Sequence, residues 1–143
     1  MFNRTVAFTI LVSALAIGTG YAQQCLHGPS ETADQATRRR EALTATRTIN
    51  NIQANQPGAA KGLYLRHEEL AGSPFASDKR EWTSETMKRI SLGPEAMILP
   101  NWKLTLDVTQ KGYWFMIKDT ADPCGFAYIS NQVGVIFNVE PIR

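Results

Sequence analysis

The sequence predicts an α+β domain: a long N-terminal helix packed on a C-terminal four-stranded antiparallel sheet. Three observations point there. From Ser30 to about Gln53 the chain lacks Gly and Pro, and small or apolar residues recur at three- and four-residue intervals. From Trp102 onward the period changes to two. One helical segment followed by a run of strands, with no βαβ alternation, is the α+β pattern.

The helix is read from its ends inward. Gly28-Pro29-Ser30 opens it, with Ser30 as the expected N-cap and Glu31 and Asp34 near the positive end of the dipole. Ala36, Leu43, Ala45, Thr46, Ile49 and Ile52 form one stripe, and Asn55-Gln56-Pro57-Gly58 stops it. Because the stripe is made of small residues, it is expected to lie close against a broad apolar surface. Arg38, Arg39, Glu41, Thr44, Arg47 and Asn51 fall opposite, so Arg38-Arg39-Arg40 reads as a solvated face.

The segment from Ala59 to Pro100 is irregular. Leu63, Leu65 and Leu70 are its apolar anchors, with short helices expected over Arg66 to Ala71 and within Asp78 to Ile90. Trp102, Leu104, Leu106 and Val108 then alternate with Lys103, Thr105 and Asp107, which is a half-buried strand. After the Gln110-Lys111-Gly112 turn the chain returns over Tyr113 to Lys118. Tyr113, Phe115 and Ile117 share one face, and Trp114 and Met116 share the other. Phe126 to Ser130 and Val133 to Phe137 are expected to close a second hairpin around Asn131-Gln132.

The N-terminus reads as a secretory signal peptide over residues 1–22. Arg4 is its n-region, Val6 to Ile17 its apolar core, and Gly20-Tyr21-Ala22 its cleavage site. An apolar run of about a dozen residues is short of the roughly 20 needed to span a bilayer. No stable membrane span is expected after cleavage; the alternative is an uncleaved N-terminal anchor. Residues 23–143 then form a single domain, periplasmic or secreted. In such a compartment Cys25 and Cys124 have one intramolecular pairing open to them, and the alternative is two thiols not joined to each other. The full chain carries 15 basic and 13 acidic residues, a net charge of +2. That balance, with one short basic cluster, supplies no electrostatic footprint for nucleic acid.

Two stretches resemble the head domain of bacterial type IV pilins and pseudopilins. One is Ala45-Thr46-Arg47-Thr48-Ile49-Asn50. The other runs from Gly112-Tyr113 through Asp119-Thr120 to Cys124-Gly125-Phe126-Ala127-Tyr128 and Gly134-Val135-Ile136-Phe137. The resemblance implies a helix-on-meander head and a protein partner in an envelope or secretion assembly. The hydrophobic stalk of a pilin is missing: no Glu follows within the apolar run, and Gly18 and Gly20 end it early. The chain is therefore similar to a pilin head without the surface that builds a filament.

No sequence pattern calls for a catalytic residue, metal or cofactor. His67-Glu68-Glu69 lacks the second His that a zinc protease helix needs, since Ala71 stands at that place. Cys25, His27 and Cys124 lack the paired spacing of a zinc site. Asp119 and Asp122 are read as Asx-turn residues rather than a calcium loop. The candidate partner-binding residues are Trp114 and Met116, on a sheet face that needs either a cover from the connecting region, with Phe75 and Trp82, or a partner. The alternative function is a small secreted enzyme or ligand-binding protein using His67, Glu68 and Glu69 or that aromatic face.

Overall fold

The computed structural model describes residues 24–78, 84–94 and 97–140; the leader over 1–22 and Trp82 lie outside them. Its sheet is an antiparallel meander in the order β1-β2-β3-β4-β5, built from β1 (Met97–Leu99), β2 (Trp102–Thr109), β3 (Gly112–Asp119), β4 (Ala127–Asn131) and β5 (Phe137–Val139). The sheet has five strands where alternation predicted four. The extra strand, β1, is three residues long, too short for a period of two to declare itself. Asn101, at φ 65°, makes the tight β1–β2 turn, a left-handed conformation that Asn tolerates better than other residues with a side chain.

Register places the side chains. Leu104 pairs with Ile117, Leu106 with Phe115 and Val108 with Tyr113, and these residues share the inner face. Tyr128 joins them from β4. The final hairpin is displaced from the sequence reading. Val133 to Ile136 form a connection, and pairing resumes only at Phe137 with Ile129. Ser130 explains the shift: its hydroxyl donates to the Val135 carbonyl at 2.9 Å, which holds the loop wide.

Helix α1 (Ala33–Asn55) covers the inner face. It begins later than Ser30, because Thr32 and Gln35 form a reciprocal capping box: the Gln35 amide donates to Thr32 Oγ1 at 3.3 Å, and the Thr32 amide to Gln35 Oε1 at 2.7 Å. Ala42, Ala45, Thr46, Ile49 and Ile52 are fully buried against Trp102, Leu104, Phe115 and Ile117. Alanines at the contact let helix and sheet approach closely. The buried Thr46 hydroxyl is satisfied by the Ala42 carbonyl one turn back, at 2.8 Å. At the middle of the contact, Tyr113 donates to Asn50 Oδ1 at 3.2 Å, and Asn50 Nδ2 donates to Ser130 Oγ at 2.9 Å. Burial pushes the Tyr113 phenol up to about 12, so it stays protonated and able to donate.

The described parts of the connecting region, residues 59–78 and 84–94, pack around the helix. Gln53, fully buried, latches it: Nε2 donates to the Leu65 carbonyl at 2.7 Å and Oε1 accepts from the Leu65 amide at 2.9 Å. Two 3₁₀ turns (Ala59–Lys61 and His67–Gly72), α2 (Pro74–Ser77) and α3 (Glu85–Arg89) follow. Leu70 is buried in the same core, Phe75 packs against it, and Tyr64 meets Tyr113 edge-on at 4.7 Å. Arg89 of α3 is ion-paired with Glu41 of α1.

Ile49→Ala should destabilise the domain by about 2–5 kcal/mol, the usual range for a large-to-small core change. Asn51→Ala, on the exposed side of the same helix, should stay within about 0.5 kcal/mol of wild type. Urea unfolding midpoints check both; equal effects would show that α1 does not pack as described.

Candidate functional site

Extending the inner-face alternation of β3 one step past Ile117 reaches Asp119, opposite Trp102. A carboxylate thus occupies a core position, with no solvent exposure. Left alone it would be very unfavourable there. Three groups answer it. His27 Nε2 contacts Asp119 Oδ2 at 2.9 Å, Arg38 donates to both oxygens at 3.3 and 3.4 Å, and the Ala121 amide donates to Oδ1 at 2.9 Å.

His27 carries the cluster on toward the surface. Its Nδ1 lies 2.9 Å from Glu31 Oε1, and Glu31 receives a bidentate pair from Arg39 at 2.8 Å each. The ring packs on Phe126, with centroids 4.6 Å apart. Each ring nitrogen of His27 thus faces one carboxylate oxygen. This corrects the reading of Arg38-Arg39-Arg40 as a solvated face. Arg40 is exposed, but Arg38 and Arg39 reach inward because α1 starts beside the strap that carries His27 and Glu31.

The strap is held twice more. Cys25 and Cys124 form a disulfide with Cα atoms 5.2 Å apart. Asp122 accepts the amides of Leu26 at 3.1 Å, Cys124 at 3.0 Å and Phe126 at 3.3 Å. Both aspartates do make Asx turns, Asp119 to Ala121 and Asp122 to Cys124, and each also binds a group far away in sequence. Bonded to each other, the two cysteines offer no thiolate, and both nitrogens of His27 are engaged. Among the described residues no group of His, Cys, Asp or Glu is arranged to hold a metal ion. The cluster is an anchor, and its imidazole has no free nitrogen with which to act as a base.

His67, Glu68 and Glu69 do not converge. His67 opens a 3₁₀ turn, Glu69 accepts the Arg66 amide at 2.7 Å as a cap, and Glu68 faces solvent. His67 Nε2 is buried without a hydrogen-bond partner. A cleft of about 450 Å³ near that region is lined by Lys61, Leu63, Tyr64, Arg66 and Val108. Its walls include no histidine or carboxylate to serve in acid–base chemistry.

The outer face of the sheet differs in kind. Thr105, Met116, Ile129 and Phe137 form one cross-strand row, and Asp107, Trp114 and Asn131 form the next. Trp114 is 41% exposed and Phe137 58%; Met116 and Ile129 are half-buried between them. The Trp114 indole donates to Asp107 Oδ2 at 3.2 Å, which orients it across the face. Val139 of β5 is also exposed, as are Val133 and Val135 in the loop before it. Sequence reasoning placed Trp114 and Met116 together on this face. It missed Ile129 and Phe137 because the last hairpin was read in another register.

Among the described residues no helix is long and apolar enough to cross a membrane. Comparison with known proteins gives no match: no family model, no curated protein and no solved structure is similar to this chain.

Asp119→Ala should cost about 3–5 kcal/mol, because it leaves His27 and Arg38 facing an empty core position; equilibrium unfolding measures it. Reduction of Cys25–Cys124, which spans 99 residues, should remove about 4–5 kcal/mol on chain entropy. Acid should weaken the strap. The Arg39 contact, opposed by burial and aided by His27, holds the Glu31 carboxyl at about 2, below its ordinary 4.5. The folded value is the lower one, so this stabilisation is complete above about 4.5 and is lost as pH falls toward 2. Unfolding of wild type and Glu31→Gln across that window should converge as pH drops; parallel curves would rule out this role for Glu31.

Proposed function

We propose that this protein is an exported, non-catalytic interaction module, similar in organisation to a pilin head, that meets a protein partner of the cell envelope through the outer face of its sheet. The observation that carries the reading is the exposed Trp114 beside the Met116–Ile129–Phe137 row. One sheet face is filled by α1, while the other holds Trp114, Met116, Ile129 and Phe137 side by side. Burying an exposed Trp and Phe is a strong driving force, and such patches mark contact surfaces. The Cys25–Cys124 disulfide agrees with export, since such a bond persists outside the reducing cytoplasm. The apolar run at Val6 to Ile17 supplies the route as a cleaved leader.

The pilin likeness supports the same reading through layout: a helix before an antiparallel meander, with the cystine beside the penultimate strand. Without a stalk the head works as a soluble piece of an assembly, and its contacts must come from sheet and loops. An anchor cluster with no free base, and a His67 region whose acids are spent on capping or face solvent, favour binding over catalysis.

Fractionation with intact-mass measurement tests export: the chain should be found outside the cytoplasm without residues 1–22, and a cytoplasmic chain or a retained leader would overturn it. Trp114→Ala tests the surface. It should leave stability within about 0.5 kcal/mol of wild type and abolish cross-linking to the envelope partner in cells. An unchanged cross-linking pattern would exclude the face.

A further inference from the structure

Resting on the outer face as the contact surface, the chemistry of that face narrows the partner. Beside the apolar row, Lys103 and Lys118 stand directly opposite each other on β2 and β3. Like charges in that position repel. Both are exposed, and among the described residues neither has an acidic partner. Lys111 adds a third cation in the β2–β3 turn at the other end. The one carboxylate of the intervening rows, Asp107, is engaged by Trp114. The face is thus an apolar strip with basic ends.

The two outermost strands of the sheet are poor templates for strand addition. β1 and β5 are three residues each, and short edge strands limit pairing with an incoming chain. A helix needs no backbone edge, and this sheet already receives one, α1, across its other face. Three lysines fall short of the four to eight that mark a surface for anionic lipid. A second copy laid face to face would set a net positive surface against itself.

We infer that the outer face receives an amphipathic helix of a partner protein, its apolar stripe on Trp114, Met116, Ile129 and Phe137 and its flanking acidic residues on Lys103 and Lys118. The helix relieves the lysine repulsion and covers Trp114 and Phe137 in one step. Acidic flanks select the partner, since charge complementarity steers association and like charges reject the wrong segment.

The test uses the full secreted chain and two synthetic helical peptides that share a leucine stripe, one flanked by glutamates and the other by lysines. Calorimetry at low salt should show the glutamate peptide binding about tenfold or more tightly than the lysine peptide, with the gap narrowing as salt rises. Lys103→Glu with Lys118→Glu, both on the surface, should reverse the preference. Trp114→Ala should weaken both peptides. Equal affinities untouched by charge reversal would overturn the acidic-helix inference, while loss on Trp114→Ala would still uphold the face. Failure of both peptides to bind would overturn it, as would tighter binding to phosphatidylglycerol vesicles or a dimer abolished by Trp114→Ala. The last two would keep the face as a contact surface, and a complete absence of any Trp114-dependent binding would remove that too.

Discussion

The buried carboxylate of Asp119 is the constraint on which the rest of the structure depends. β3 is an inner-face strand to its last residue, and that residue is charged. The fold resolves this by bringing the segment before α1 across the end of the sheet. His27 meets Asp119 from that segment, and Arg38 meets it from the first turns of the helix. Ion pairs of this kind rarely add net stability over a well-packed apolar substitute, but breaking one partner away is costly. His27 on the strap contacts both Glu31 and Asp119, so a displaced strap would break both contacts at once.

The disulfide and Asp122 act on the same placement from the other side. Cys25 is two residues from His27, and Cys124 lies in the loop that Asp119 opens and Asp122 organises. Cross-link, charge cluster and Asx turns therefore hold one junction, between the start of the domain and its β3–β4 loop. That junction closes one end of the helix–sheet sandwich. The opposite layer of the sheet carries the exposed Trp114 and Phe137, with Lys103 and Lys118 beside them.

The parts of the fold legible in sequence are those set by local periodicity. The alternation from Trp102 to Val108 and from Tyr113 to Ile117 lies in β2 and β3, and the spacing of Ala45, Ile49 and Ile52 lies in α1. Pairing of Trp114 with Met116 on one face followed from the same period. Strand β1 was too short to carry a period, and the register of β5 depended on Ser130 reaching the Val135 carbonyl. Arg38 and Arg39 looked like solvent residues because a helical wheel knows nothing of a strap that crosses it. Asp119 was within reach: a period of two carried one residue further would have placed it inside.

By itself the sequence determined the helical form of α1, the extended form of β2 and β3, and which side chains of those two strands share a face. Those are consequences of backbone geometry, acting over a few residues. The tertiary structure alone decided that His27, Glu31, Arg38, Arg39 and Asp119 form one cluster, that Cys25 reaches Cys124, and that Lys103 faces Lys118 on the sheet face where Trp114 and Phe137 are exposed. Each of those pairings joins residues distant along the chain, and their meeting depends on how helix, strap and sheet close on one another.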